Sequence, residues 1–130
     1  MMIKLEHVAL IVKDMDASIN YYCQMFGYEL RTRGENQVRE MAFLFHKNQP
    51  GVELELIRDL DPTKHNYSEK GIVNHLAFTV ENMEEAISHY QDKGIQFLTD
   101  QPNTAIDGAK TIFFYGPNQE LLQFVQPSKK

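Results

Sequence analysis

The pattern of apolar and polar positions occurs twice along the chain. Residues 5–12 read LEHVALIV and residues 73–80 read VNHLAFTV, two short runs rich in branched side chains, which predict buried β-strands. Each run is followed by apolar residues three or four positions apart, over residues 15–26 and 83–90. This spacing gives one apolar stripe on a helix, so an amphipathic helix is predicted after each strand.

The residues that flank these two helices, and the runs that follow them, complete two similar units. Asp14 and Asn82 stand where N-caps are expected, and Gly27 and Gly94 stand where the helices should stop. Three strand-like runs follow each helix: YELRTR, MAFLFHK and VELELIR in the first unit, and IQFLTD, TIFFYG and LLQFVQ in the second. The predicted order is therefore βαβββ, twice.

A constant separation supports the reading of two copies. His7 and His75 are 68 residues apart, and the same separation aligns five further identical pairs: Ala9 with Ala77, Val12 with Val80, Met15 with Met83, Ile19 with Ile87, and Tyr22 with Tyr90. We predict one domain over residues 1–130, with unit one at about 3–59 and unit two at about 72–127. A polar linker over about 60–71, able to act as a lid, joins them.

Strand alternation places a set of metal-ligand side chains on one kind of face. His7 lies opposite the apolar face that should pack under the first helix, and the same reasoning applies to Glu55, His75 and Gln123. Two histidines, a carboxylate and an amide oxygen suit a hard-to-borderline divalent metal. Taken singly, each residue is more simply a packed or solvated strand residue. Their repeat-equivalent positions favour a metal site.

Composition narrows the class of protein. The chain has 130 residues, 42% of them hydrophobic, and a formal net charge of −5, which indicates one ordinary globular domain. No basic stripe suggests a nucleic-acid partner, and the apolar runs fall short of the roughly 20 residues of a membrane helix. We expect neither a signal peptide nor a membrane partner. A single cysteine, Cys23, is expected to be a core residue, and it fits a reducing, cytoplasmic location.

These features resemble the vicinal oxygen chelate superfamily, from EHVALIVKDMDASINYY near the start to FFYGPNQELLQFV near the end. This superfamily includes glyoxalase I, methylmalonyl-CoA epimerase, extradiol dioxygenases, fosfomycin-resistance enzymes and metal-free bleomycin-binding proteins. The resemblance implies an α+β fold in which the two βαβββ units form a curved mixed sheet around a central cleft. It also implies a divalent metal ion, with nickel, zinc or manganese as candidates, held by His7, Glu55, His75 and Gln123. The last of these stands where the family usually has glutamate.

The nearest activity implied is that of glyoxalase I, the lactoylglutathione lyase type. Such an enzyme transfers a proton next to a carbonyl through a metal-bound enediolate, here with Glu55 as the base, and acts on a thiol hemithioacetal or a related small molecule. The resemblance also implies a homodimer. Glutathione-using members commonly carry arginine and asparagine where this chain has Ile11 and Asp59, so the thiol carrier stays open.

Two other functions fit the same resemblance. One is an epimerase like methylmalonyl-CoA epimerase, and the other is a non-catalytic small-molecule-binding protein of the bleomycin-resistance type; an extradiol dioxygenase ranks lower. Four aromatic residues either line a binding cleft or fill the core, with the core favoured: Phe43, Phe45, Phe113 and Tyr115. Arg31, Arg33 and Lys110 are interpreted as solvated strand charges. The remaining histidines, His46, His65 and His89, have no histidine partner in the repeat and are left out of the site.

Overall fold

The protein folds into two α+β units of the same architecture. The computed structural model describes residues 5–67 and 73–128, and the boundary between the compact units falls between residues 69 and 70. Each unit consists of one helix and one four-stranded mixed sheet. The predicted α+β class is confirmed.

Unit one forms its sheet in the order β1-β4-β3-β2. Strand β1 runs parallel to β4, and the other neighbouring strands are antiparallel. A short 3₁₀ helix at Pro62–Lys64 follows the last strand. The elements are β1 His7–Ile11, α1 Met15–Phe26, β2 Glu29–Glu35, β3 Arg39–Phe45 and β4 Glu53–Asp59.

Unit two repeats this topology in the order β5-β8-β7-β6. Its first strand, β5, is again parallel to its last, β8, while the other pairs are antiparallel. The elements are β5 Leu76–Thr79, α2 Met83–Asp92, β6 Asn103–Thr104, β7 Lys110–Tyr115 and β8 Leu121–Gln126.

Both helices begin at the predicted caps. The Asp14 side chain accepts a hydrogen bond from the Ala17 amide, and the Asn82 side chain accepts one from the Glu85 amide, each at 3.0 Å. These bonds satisfy amides that the first turn of a helix leaves without an intrahelical partner. Helix α1 ends at Gly27, whose φ of 81° is a left-handed conformation that glycine adopts without strain.

Each helix packs on the apolar face of its own sheet. Tyr22 of α1 is fully buried, as is Leu56 of β4. In unit two, the ring of Tyr90 on α2 lies 5.0 Å from that of Phe124 on β8, which is 1% exposed. Because side chains alternate along a strand, His7, Glu55 and Gln123 project from the opposite faces of their sheets.

Two sequence predictions about strands in unit two are wrong. IQFLTD does not form a strand: Phe97 makes one isolated bridge to Phe114, and the edge strand is the two-residue β6. The chain between them contains Pro102, which lacks an N–H and disfavours regular pairing. His75 also lies one residue before β5, which starts at Leu76.

Candidate functional site

Unit one brings His7 and Glu55 together. Strand β1 is parallel to β4 with Ala9 opposite Glu55, so His7 lies diagonally from the carboxylate on the same face. The Nε2 atom of His7 is 3.4 Å from Oε1 of Glu55. The side chains are 39% and 12% exposed, respectively, which leaves the imidazole reachable while the carboxylate is largely desolvated.

Two neighbours fix the His7 ring. Its Nδ1 atom is 3.0 Å from Oε1 of Glu6, the preceding residue. Its edge packs on the ring of Phe43 with a centroid distance of 6.1 Å and an interplanar angle of 86°. Phe43 lies directly opposite Glu55 on β3, so these side chains line one patch of the sheet.

Unit two builds a matching arrangement around His75 and Gln123. Gln123 lies opposite Ala77 on β5 and opposite Phe113 on β7, and it is 9% exposed. The Nδ1 atom of His75 is 2.8 Å from Oδ1 of Asn74, again the preceding residue. The His75 ring packs edge-on against Phe113, with centroids 5.3 Å apart at 87°.

The two arrangements correspond position by position. The glutamate and glutamine hold equivalent places, as do the two histidines and the residues before them. Phe43 and Phe113 are equivalent by contact, although 70 rather than 68 residues separate them. The cause is a shorter connection, since residues 46–52 join β3 to β4 but only 116–120 join β7 to β8.

Each arrangement offers a histidine and one oxygen donor, and a protein metal site commonly takes about four such ligands. Over residues 5–67 and 73–128, no three His, Cys, Asp or Glu side chains form a group that could hold a metal ion. We call the pair His7 and Glu55, and the pair His75 and Gln123, the two half-sites.

A second glutamate beside the first half-site, Glu53, is already paired with an arginine. Glu53 accepts hydrogen bonds from Arg31, at 2.6 Å from Nε and 2.9 Å from Nη2, and the Arg31 guanidinium also lies 5.1 Å from the Phe43 ring centre. The hydrogen bond from Arg31 lowers the pKa of the Glu53 carboxyl below its ordinary value of 4.5. Glu53 is thus held as an ion pair, and Glu55 is the carboxylate that faces His7.

Two of the three basic residues predicted to be solvated, Arg31 and Arg33, form ion pairs instead. Arg33 donates hydrogen bonds to Asp16 at 2.6 Å and to Glu40 at 2.9 Å. Arg31 is paired with Glu53, so the partners of both arginines lie within unit one. Lys110, at the start of β7, is exposed as expected.

Burial and contacts bear on three further expectations. Phe43 and Phe113 contact the histidines and are not among the buried core residues, so the preference for a core role is wrong for them. His46 is structural, because its Nδ1 accepts from the Asn48 amide and its Nε2 is 2.7 Å from the Phe26 carbonyl oxygen. Burial raises the pKa of the Cys23 thiol, which disfavours a reactive thiolate.

A cluster of polar side chains around the buried Asp59, at the end of β4, was not predicted from the sequence. The Asp59 side chain is 2% exposed and accepts a hydrogen bond from the Tyr67 hydroxyl. Its Oδ1 atom lies 3.6 Å from Nε2 of His65 and 3.8 Å from Nη2 of Arg39. Strand alternation places Asp59 on the same face as Glu55. Its partners His65 and Tyr67 lie in an irregular segment after β4, and no periodic pattern in the sequence could have predicted their contacts.

Comparisons with known proteins agree with this fold. Residues 6–114 match the model of the Glyoxalase/Bleomycin resistance protein/Dioxygenase superfamily, and the chain belongs to that family. The uncharacterized protein YwbC of Bacillus subtilis is 27% identical over 95% of this chain and 97% of its own. The lactoylglutathione lyase of Schizosaccharomyces pombe is 27% identical over 72% of this chain but only 38% of its own.

A solved structure gives the same result. The crystal structure of a glyoxalase family protein from Enterococcus faecalis superposes with a TM-score of 0.77 at 26% identity, covering 95% of this chain and 97% of that one. Within the described residues, no helix has the length and apolar character needed to cross a membrane. The expected resemblance to the vicinal oxygen chelate superfamily is confirmed.

Proposed function

We propose that the protein is a metal-dependent lyase or isomerase of the glyoxalase I type. The two half-sites together supply His7, Glu55, His75 and Gln123, and a divalent ion such as nickel, zinc or manganese suits this set. The observation that carries the proposal is the 3.4 Å approach of His7 Nε2 to Glu55 Oε1. It is supported by unit two, where Gln123 lies opposite Ala77 as Glu55 lies opposite Ala9, and where His75 directly precedes β5. The half-sites would join within one chain or between two copies in a homodimer.

The ligand residues fit a divalent cation on their chemistry. Glu55 and Gln123 are each only 9% exposed, and a buried carboxylate beside an imidazole is costly without a charge to balance it. A divalent ion would act as a Lewis acid that stabilises negative charge developing on a substrate oxygen. With glutamine in place of a second glutamate, the ligand set carries one negative charge.

Glu55 is assigned the proton transfer. In the proposed reaction the carboxylate removes the proton from the carbon that bears the hydroxyl and the thiol sulfur of a hemithioacetal. It then delivers that proton to the adjacent carbonyl carbon, while the hydroxyl proton moves from its own oxygen to the former carbonyl oxygen. The product is a 2-hydroxyacyl thioester, an isomer of the hemithioacetal. Gln123 is neutral and cannot accept a proton, so it binds without acting as a base.

A substrate screen tests this function. Hemithioacetals of methylglyoxal with several thiols are incubated in deuterium oxide with protein reconstituted with each metal, and the reacting carbon is followed by NMR. We expect conversion to 2-hydroxyacyl thioesters with deuterium uptake. Including a methylmalonyl thioester tests the epimerase alternative, for which exchange without isomerisation is the expected signature.

Non-catalytic binding of a flat apolar molecule is the second candidate. It is favoured by Phe43 and Phe113, which are only half-buried on the site faces, and by Tyr115, which is 51% exposed. Under this function the protein would bind aromatic ligands equally well without metal and would show no turnover in the screen. We place either activity in the cytoplasm, with small molecules as partners.

A further inference from the structure

The residue before each site histidine makes the same contact in both units. Glu6 and Asn74 occupy equivalent positions, and their side-chain oxygens lie 3.0 Å and 2.8 Å from Nδ1 of His7 and His75. Adjacent residues on a strand project to opposite faces, so such a bond between neighbours is not a consequence of strand geometry. It arises here at the strand starts: β1 begins at His7 and β5 just after His75.

These contacts select one tautomer of each imidazole. A neutral imidazole carries a single N–H, and an ionised carboxylate can only accept a hydrogen bond. Nδ1 of His7 is therefore the protonated nitrogen, and Nε2 keeps the free lone pair that a metal needs. The Glu55 carboxylate also lies near Nε2, with Oε1 at 3.4 Å, but only the shorter 3.0 Å contact of Nδ1 with Glu6 is a hydrogen bond, so that contact decides the tautomer. The side-chain oxygen of Asn74 likewise places the proton of His75 on Nδ1.

We propose that Glu6 and Asn74 are positioning residues that hold His7 and His75 as Nδ1–H tautomers, which leaves Nε2 as the ligating nitrogen. This inference rests on the proposed metal-dependent function, since it assigns the side chains that prepare the ligands. Phe43 and Phe113 restrict the same rings from another side by their edge contacts. Neither Glu6 nor Asn74 is itself a ligand in this assignment.

The tautomers are measured directly in metal-free protein. Long-range ¹H–¹⁵N spectra of imidazole-labelled protein at about pH 8, where ordinary histidines are neutral, distinguish Nδ1–H from Nε2–H. We expect the Nδ1–H pattern for His7 and His75, assigned with His7→Gln and His75→Gln. Glu6→Ala should shift His7 alone toward Nε2–H, and Asn74→Leu should shift His75 alone.

Two variants serve as controls. Asn74→Asp keeps an acceptor and loses the amide donor, so it should retain the Nδ1–H pattern of His75. Glu35→Ala removes an exposed glutamate of β2 and should change neither ring. An Nε2–H pattern for His7 and His75 in the parent protein would overturn the inference, whatever metal the protein binds.

Metal affinity supplies the second readout. Titration calorimetry with zinc or nickel should show binding weakened by roughly 10-fold in Glu6→Ala and in Asn74→Leu, the lower part of the usual range for residues that orient a ligand. Asn74→Asp should not weaken it. Unchanged affinity in both of the first two variants would contradict a positioning role.

The two readouts separate this inference from the function on which it rests. A parent protein that shows both Nδ1–H tautomers but binds no metal would contradict the proposed function while supporting the tautomer assignment. A parent protein that binds metal with histidines whose tautomers do not respond to Glu6→Ala or Asn74→Leu would support the function and overturn the inference.

Discussion

At the scale of single residues, the proposed function assigns the proton transfer to Glu55 because its equivalent in unit two, Gln123, is a glutamine that cannot accept a proton. Glu55 and Gln123 occupy equivalent strand positions and are equally buried as whole residues, but Gln123 lacks the negative charge and carries N–H donors. The sequence predicted both residues because strand alternation and a constant separation are local properties. It could not predict the shift of Phe43 and Phe113, which depends on the length of a connection.

Substitution of Glu55 tests its role as the base. Glu55→Gln keeps an oxygen ligand of the same size but cannot accept a proton, so turnover should fall by roughly 10²- to 10⁴-fold with metal retained. Gln123→Glu adds a carboxylate without removing one, and its activity should stay within about 10-fold of the parent. Steady-state rates and metal content are measured on the same samples. Turnover at the parental rate by metal-loaded Glu55→Gln would exclude Glu55 as the base.

The Asp59 cluster gives a second prediction at this scale. Tyr67→Phe removes the hydroxyl that donates to a nearly buried carboxylate, whose Oδ1 atom accepts no hydrogen bond from the described residues. We expect a loss of about 1–2 kcal/mol in the free energy of unfolding, from the cost of an unsatisfied buried acceptor. Urea denaturation measures it, with Tyr115→Phe, another exposed tyrosine, as the control. Equal stabilities of the two variants would contradict the prediction.

At the scale of elements, a network of charges ties α1 to three strands of unit one. Arg33 on β2 bridges Asp16 on α1 and Glu40 on β3, and Glu40 also accepts from Arg58 on β4 at 3.0 Å. In unit two, strand pairing makes Lys110 and Gln126 the counterparts of Glu40 and Arg58, while Glu84 and Gln101 follow Asp16 and Arg33 by 68 residues. These line a groove of about 820 Å³, whereas the corresponding pocket in unit one is about 350 Å³.

Elements were predictable where periodicity was strong. Strand β8 has the predicted bounds, residues 121–126, and both helices start at the predicted caps. The edge strand of unit two was not predictable from alternation, because the chain bends over residues 98–101, directly after the single bridge at Phe97. Whether such an edge segment forms a strand depends on tertiary pairing rather than on local propensity.

The charge network should make stability depend on pH. Burial alone would raise the pKa of Glu40, but hydrogen bonds from Arg58 and Arg33 outweigh it and lower the pKa below the ordinary 4.5. A lowered pKa stabilises the folded state fully above about pH 4.5, and this contribution is lost as the pH falls through the folded value. Thermal unfolding from neutral to acidic pH should show that Glu40→Gln is less stable at neutral pH and that its difference from the parent shrinks in acid. A difference that stays constant with pH would contradict this.

At the scale of the whole molecule, we propose that a doubled unit supplies two halves of one metal site. The repeat, the parallel pairing of first and last strands, and the ligand positions follow from patterns within each unit. No periodicity in the sequence encodes how the proposed half-sites would join, whether within one chain or between two copies. Metal binding reports directly on whether they join.

The most direct test is the metal content of protein purified without chelator and reconstituted with nickel, zinc or manganese. Elemental analysis should give about one ion per chain, since the four proposed ligands per chain are enough for one ion. His7→Ala and His75→Ala should each lose that ion while their circular dichroism stays unchanged, and His89→Ala, which alters a helix histidine, should keep it. Parent protein that takes up none of these metals, or full occupancy in both His7→Ala and His75→Ala, would contradict the account.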